Sequence, residues 1–200
     1  MHAPQKKHPF TLSITLLVLL LSFQAKATVT VGQLAPNVQF VDLDGKKGST
    51  RVTGGKIGLI SFAGKESSSR LEETIRPINL KLMKRYPDIE MVYVGFADLT
   101  EVPQFLEKMV NAIIRFFNNR VKTEMNELYQ KNGVAKTAAK AAFHLTPDWE
   151  GKYLKAFHLD KGDPFHCWLV YEGRIIAALP EGTPQFEAKF LAAIDSVMKR

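Results

Sequence analysis

Apolar runs and amphipathic stretches alternate along most of the chain. Helical spacing of apolar residues predicts a helix from about Ser69 to Tyr86, with Pro77 expected to kink it, and a final helix from Pro184 to Met198. Runs typical of strands lie at 38–43, 57–62, 89–96, 165–171 and 175–179, with a short one near 143–145. Strands that alternate with helices form a sheet covered on both faces, so the pattern predicts an α/β fold.

A long helical stretch follows the third predicted strand. Residues 99–142 are expected to form a helical insertion, with a break at Asn132-Gly133 and a short basic helix at 135–142. Its apolar arc is wide, and packing on the domain's own sheet is the first interpretation. A partner or dimer surface and attachment to a membrane surface are the alternatives. They arise because four bulky residues cannot all face one core: Ile113, Ile114, Phe116 and Phe117.

The first 27 residues have the pattern of a signal peptide. Basic Lys6 and Lys7 precede an apolar run over 10–23, and Ala25-Lys26-Ala27 offers the small residues of a cleavage site. The run is shorter than the ~20 residues that span a bilayer. We therefore expect a periplasmic or secreted protein whose residues 28–200 form one domain, with an uncleaved N-terminal anchor as the alternative and as its only link to a membrane.

Charge and cysteine content narrow the function further. Cleavage would remove Lys6, Lys7 and Lys26 and lower the formal charge from +7 to +4, a surplus too small to indicate a nucleic-acid partner. The chain has one cysteine, Cys167, so no disulfide can form within it. The fold must depend on its core alone, and nothing in the sequence indicates a cofactor.

Several segments resemble one known family in their order and spacing. They are Val31–Pro36, Asp42–Lys46, Gly58–Phe62, Asp148–Gly151 and the step from Pro164 to Gly173. Together they are similar to the redoxin (AhpC/TSA-type) branch of thioredoxin-like proteins. The resemblance implies a thioredoxin-like fold with a central mixed sheet flanked by helices, a cis-proline at Pro164, and redox cysteines at the junction between 57–62 and the following helix.

That junction holds serines where the family has cysteines. Depending on the alignment, Ser67 and Arg70 or Glu66 and Ser69 occupy the two positions. A serine hydroxyl is too weak an acid to ionise at a helix N-terminus, and it cannot form a mixed disulfide. Ser69-Arg70-Leu71-Glu72 fits a capping box. The alternative is a cradle for an anion or a peptide carboxylate, assisted by Lys65 and Arg70.

Cys167 is the remaining candidate nucleophile. Strand alternation places Cys167 on one face and His166 on the other, and helices should cover both faces, so we expect a buried, unreactive thiol. The alternative function is a thiol-dependent antioxidant enzyme that uses Cys167 with an external reductant. No metal site is predicted, because the candidate ligands lack the spacing of a zinc or copper motif. Those candidates are His144, His158, Asp163, His166 and Cys167.

The sequence thus favours a binding or accessory module over an enzyme. The expected binding area is the former redox corner, where a helix N-terminus and a proline loop would hold extended peptide. It comprises Lys65, Glu66, Ser67, Ser69, Arg70, Asp163 and Pro164. A protein or peptide of the cell envelope is the expected partner. A homodimer through the insertion, or a structural role in an envelope complex, is the further possibility.

Overall fold

The computed structural model describes residues 29–134, 142–162 and 165–199. The predicted signal peptide, the basic helix expected over 135–141 and the loop residues Asp163 and Pro164 lie outside the described residues. Ala142, which was assigned to that basic helix, begins a strand instead.

Five strands form the main sheet, and two more form a hairpin. The hairpin pairs β1 (Gln39–Val41) with β2 (Lys47–Ser49). The sheet contains β3 (Ile57–Ala63), β4 (Met91–Asp98), β5 (Ala142–Asp148), β6 (His166–Tyr171) and β7 (Arg174–Pro180). Its order is β5-β4-β3-β6-β7, with β3, β4 and β5 parallel and with β6 antiparallel to both β3 and β7. The predicted central mixed sheet is confirmed.

Helices cover both faces of this sheet. They are α1 (Ser68–Arg85), α2 (Glu107–Lys131, after a 3₁₀ turn at Gln104–Leu106), α3 (Lys152–Ala156) and α4 (Phe186–Met198). One core packs α1, α4 and the end of α2 on the first face. A second core packs α3 and the hairpin on the other. Pro77 lies inside α1, which continues through it from Ser68 to Arg85.

Strand β3 shows why the sheet is buried on both sides. Ile57 and Leu59 belong to the first core, whereas Ile60 and Phe62 belong to the second, as strand alternation requires. Gly58 lies between Ile57 and Leu59, and a Cβ at this position would come within 2.7 Å of Val52 Cγ2. The segment before β3 therefore packs directly on the strand backbone.

The insertion after β4 packs differently from the first interpretation. In α2, only Met125 and Tyr129, near its C-terminal end, are fully buried. Val110 and Ile114 in the N-terminal half are half-buried. Five large apolar side chains in this half or just before it are exposed: Phe105, Met109, Ile113, Phe116 and Phe117. The expectation that the apolar arc packs on the domain's own sheet is wrong for this half. None of the helices in the described residues combines the length and apolarity that crossing a membrane requires.

Candidate functional site

The β3–α1 junction lies at the carboxyl end of a central parallel strand. Ser67 is the residue before α1 and is buried, with only 4 % of its surface exposed. Its Oγ accepts a hydrogen bond from Gly64 N–H at 3.0 Å. Lys65, Glu66 and Ser69 are exposed around it. The junction is thus a tight turn held together by a serine hydroxyl that faces inward.

The predicted capping box at Ser69 is wrong. The helix begins at Ser68, two residues earlier than a cap at Ser69 requires, and Ser67, the residue in the cap position, makes no side-chain capping bond. Ser68 Oγ instead donates to Lys65 C=O at 3.3 Å. Two of the three serines therefore stabilise the turn before the helix.

Arg70 is paired within the protein. Its Nε donates to Glu181 Oε1 at 2.5 Å, and a second guanidinium nitrogen reaches Glu181 Oε2 at 3.3 Å. Glu181 N–H also donates to Phe165 C=O at 2.8 Å, which ties the end of β7 to the start of β6. The hydrogen bond from Arg70 lowers the pKa of Glu181. The guanidinium is therefore exposed but already paired with a carboxylate, whereas Lys65 is a second exposed cation at this corner.

The single thiol lies inside the sheet. Cys167 is opposite Ser61 of β3, belongs to the first core and has an exposed fraction of 0 %. Burial raises the pKa of the Cys167 thiol far above its ordinary value. His166 is on the opposite face, where its ring stacks on Trp168 with 5.6 Å between centroids. Burial therefore disfavours ionisation of this thiol and prevents a substrate from reaching it.

A buried histidine–aspartate pair anchors the hairpin to β5. His144 Nδ1 lies 2.7 Å from Asp42 Oδ2, and Asp42 Oδ1 accepts from the backbone N–H groups of Asp44 and Lys46 at 2.9 and 2.8 Å. Burial alone would raise the pKa of Asp42, but these hydrogen bonds outweigh it and the pKa is lowered. Among the described residues, no three His, Cys, Asp or Glu side chains come together as a metal site would require.

A groove lies at the carboxyl end of β5, between that strand and the hairpin. It has a volume of about 590 Å³ and is open to solvent on one side. One wall is β1 and the start of β2, the other is the end of β5 with the start of α3, and the turn before α2 closes one end. Ligands of open α/β sheets commonly bind at this edge of the parallel strands. Sequence reasoning missed this groove.

Two buried polar atoms in the groove walls have no hydrogen-bond partner among the described residues. They are Thr146 Oγ1, whose residue is 2 % exposed, and Trp149 Nε1. Between them in sequence, Asp148 is 1 % exposed, and its Oδ2 accepts from the N–H groups of Tyr153 and Leu154 at 3.0 and 2.9 Å. Burial raises the pKa of Asp148 despite these bonds. The groove therefore combines a satisfied carboxylate with two unsatisfied donors.

Solved structures with the same arrangement are distant in sequence. A protein described as "a putative Thiol:disulfide interchange protein DsbE", from Chlorobium tepidum, is 11 % identical with a TM-score of 0.51, over 86 % of this chain and 99 % of that chain. "A putative protein disulfide isomerase" from Bacteroides thetaiotaomicron is 18 % identical with a TM-score of 0.51, over 86 % and 92 %. The chain has a thioredoxin-like fold. No protein-family model and no curated protein matches it.

The thioredoxin-like fold allows the β3–α1 junction to be compared with the site expected from the sequence. The expectation from the resemblance is confirmed for the fold, and the chain's one cysteine leaves it without a pair of redox cysteines. Of the seven residues expected to bind, the structure places five at the N-terminus of α1. Four of these are exposed, and Ser67 is buried. The contribution of the other two, Asp163 and Pro164, stays a prediction.

Proposed function

We propose that this protein is a periplasmic or secreted binding or accessory module on a thioredoxin-like fold, without thiol chemistry. One observation carries the proposal. The junction that would hold reactive sulfur holds an inward-facing serine hydroxyl, and the only thiol is sealed within the central sheet. The proposed periplasmic or secreted location rests on the signal-peptide pattern of residues 1–27.

The chemistry of the junction supports recognition rather than catalysis. A helix N-terminus lowers the pKa of a thiol enough to form a thiolate, but a hydroxyl remains neutral there. Ser67 Oγ is also occupied as an acceptor for Gly64 N–H. The exposed groups at the corner are Lys65, Glu66, Ser69 and the Arg70–Glu181 pair. They suit contacts with a polar or acidic segment of a partner from the cell envelope.

Enzyme assays test this function directly. The purified protein should neither reduce insulin with dithiothreitol as the reductant nor consume hydrogen peroxide above the buffer rate. Cys167→Ser should give the same baseline, because the thiol cannot reach either substrate. A protein with intact near-ultraviolet circular dichroism that turns over either compound, and loses that activity with Cys167→Ser, would establish the enzyme instead.

We further propose a second contact surface on the insertion, which we call the α2 stripe. It comprises Phe105, Met109, Ile113, Phe116 and Phe117. Their spacing places them on one side of the helix, and Phe105 is 85 % exposed and Phe116 66 %. Contiguous exposed apolar side chains of this size usually mark an interface. A second copy of the chain is the partner to test first.

Substitution within the α2 stripe should change the size of the protein in solution. Light scattering after gel filtration should give a dimer for the wild type, and Phe117→Glu should give a monomer because it places a charge in the apolar contact. Asn126→Glu is the matched control, since it adds the same charge to an exposed position of α2 beyond the stripe. A wild-type monomer that neither substitution alters would exclude the dimer.

A further inference from the structure

The groove is bounded by two strand edges that separate from a common point. Leu43 N–H donates to Leu145 C=O at 3.0 Å, which joins the end of the β1 segment to β5. Beyond that bond, residues 39–41 and 146–148 line opposite walls, so the two strands run antiparallel and diverge. Diverging antiparallel strands leave a gap into which a further extended segment can fit.

The wall formed by β1 presents strand-edge groups to this gap that pair with no described strand. Bonds from Asp42 N–H to Lys46 C=O and from Thr50 N–H to Val38 C=O show which residues of this segment face β2. Since the direction alternates along a strand, the backbone groups of Gln39 and Val41 face the groove, as those of Leu43 do. Such an edge pairs with an added strand through main-chain hydrogen bonds.

The other wall holds two buried donors. Within the part of the chain that the structure describes, Thr146 Oγ1 and Trp149 Nε1 have no hydrogen bond, an arrangement that is unfavourable unless something else supplies an acceptor. The indole N–H can only donate, and the hydroxyl can donate as well. A ligand that completes this wall must therefore present acceptor oxygens.

The charged groups that line the groove favour a ligand whose acceptor oxygens are uncharged. The lining carries the ammonium groups of Lys47 and Lys152 against three carboxylates, those of Glu107, Asp148 and Glu150. A carboxylate or phosphate would meet this negative excess, whereas an amide carbonyl would not. The lining is apolar at Val41, which is 51 % exposed and suits an apolar side chain of an extended segment.

We propose that the groove between β1 and β5 binds an extended peptide segment of low charge. The segment pairs with the β1 edge at Gln39 and Val41, and its carbonyl oxygens accept hydrogen bonds from Thr146 Oγ1 and Trp149 Nε1. This site is separate from the α1 corner and goes beyond the proposed function. It does not depend on whether the protein carries out thiol chemistry.

The test uses a displayed library of random ten-residue peptides, selected on the wild-type protein. Enriched peptides are synthesised, and their dissociation constants are measured by calorimetry. Thr146→Val should weaken binding about tenfold, and Trp149→Phe should weaken it by a similar factor, because each removes one buried donor. Thr53→Val, the same change at an exposed threonine outside the groove and the α1 corner, is the matched control and should leave binding unchanged. Lys65→Ala reports whether a peptide binds at the α1 corner instead.

Thermal unfolding distinguishes a binding role for Thr146 from a structural one. Thr146→Val replaces an unsatisfied hydroxyl with a methyl group of the same shape, so the Tm should stay the same or rise. A Tm lowered by several degrees would show that the hydroxyl already has a partner within the protein, and this would overturn the proposal.

Three binding results would also overturn it. The first is that no peptide is enriched. The second is that enriched peptides are weakened by Lys65→Ala and not by Thr146→Val, which would place them at the α1 corner. The third is that chitotriose, a neutral glycan probe, binds in a Thr146-dependent manner while peptides do not. Turnover in the enzyme assays would refute the proposed function and leave the groove proposal standing, so the two failures are distinguishable.

Discussion

Phe40→Ala is expected to lower the free energy of unfolding by roughly 3–5 kcal/mol, the range for removing a buried phenylalanine ring. Phe40 is 3 % exposed and contacts the rings of Phe96 and His144, with centroids 5.8 and 5.4 Å apart. It also covers Gly48, where a Cβ would come within 2.4 Å of the ring. Its loss detaches the hairpin from the second core and removes one wall of the groove.

Urea unfolding followed by fluorescence measures this effect, and Val31→Ala is the control. Val31 is 60 % exposed and lies outside the α2 stripe and the groove, so this substitution should alter the free energy of unfolding by no more than about 0.5 kcal/mol. Equal, small losses for the two variants would show that the hairpin does not pack on the sheet through Phe40.

Asp148→Ala is the second substitution with a large expected effect, a loss of roughly 1–3 kcal/mol. Its carboxylate accepts from the N–H groups of Tyr153 and Leu154, the first turn of α3, and alanine would leave them buried without acceptors. Asp148→Asn keeps an acceptor oxygen and removes a buried charge, so it should be close to neutral at pH 7. If both variants lose the same free energy of unfolding, the effect comes from the charge of the carboxylate and not from its role as a hydrogen-bond acceptor.

The difference in stability between the wild type and Asp148→Asn should depend on pH. Burial raises the folded-state pKa of Asp148 above its ordinary value of 3.8, so the native state favours the protonated carboxyl. Its favourable contribution is present below the unfolded pKa and is lost as the pH rises through the folded one. The stability of Asp148→Asn relative to wild type should therefore increase as the pH rises from the unfolded pKa through the folded pKa of Asp148. Asp42, whose pKa is lowered, has the opposite sign, but it is present in both proteins and cancels.

The fold followed from the sequence because its strongest signals are local. The strand at 57–62 and the helix after the serines are predicted to within one residue at each end. The hairpin strand β2 was missed because its three residues include Gly48 and carry no apolar alternation. β5 was predicted too short, since Pro147 suggests an end, but an edge strand tolerates a residue without N–H.

The candidate sites depend on contacts that no local pattern contains. Glu181 is 111 positions from Arg70, so its pairing with the guanidinium is invisible until β7 is placed. Thr146 and Trp149 belong to an ordinary strand and its following turn, and only the packing of the hairpin shows that their polar atoms lack partners. The α2 stripe was partly predicted from the sequence, because the apolar arc of the insertion is too wide for all of its bulky side chains to face one core.

Alkylation of Cys167 by iodoacetamide, followed by mass spectrometry, tests most directly whether the only thiol is out of reach. In the native protein the reaction should be at least about a thousandfold slower than in urea, since a central strand opens only with the whole fold. Ser69→Cys combined with Cys167→Ser should react rapidly under native conditions, because that position is exposed on the first turn of α1. Native Cys167 reacting as fast as this exposed thiol would contradict the account.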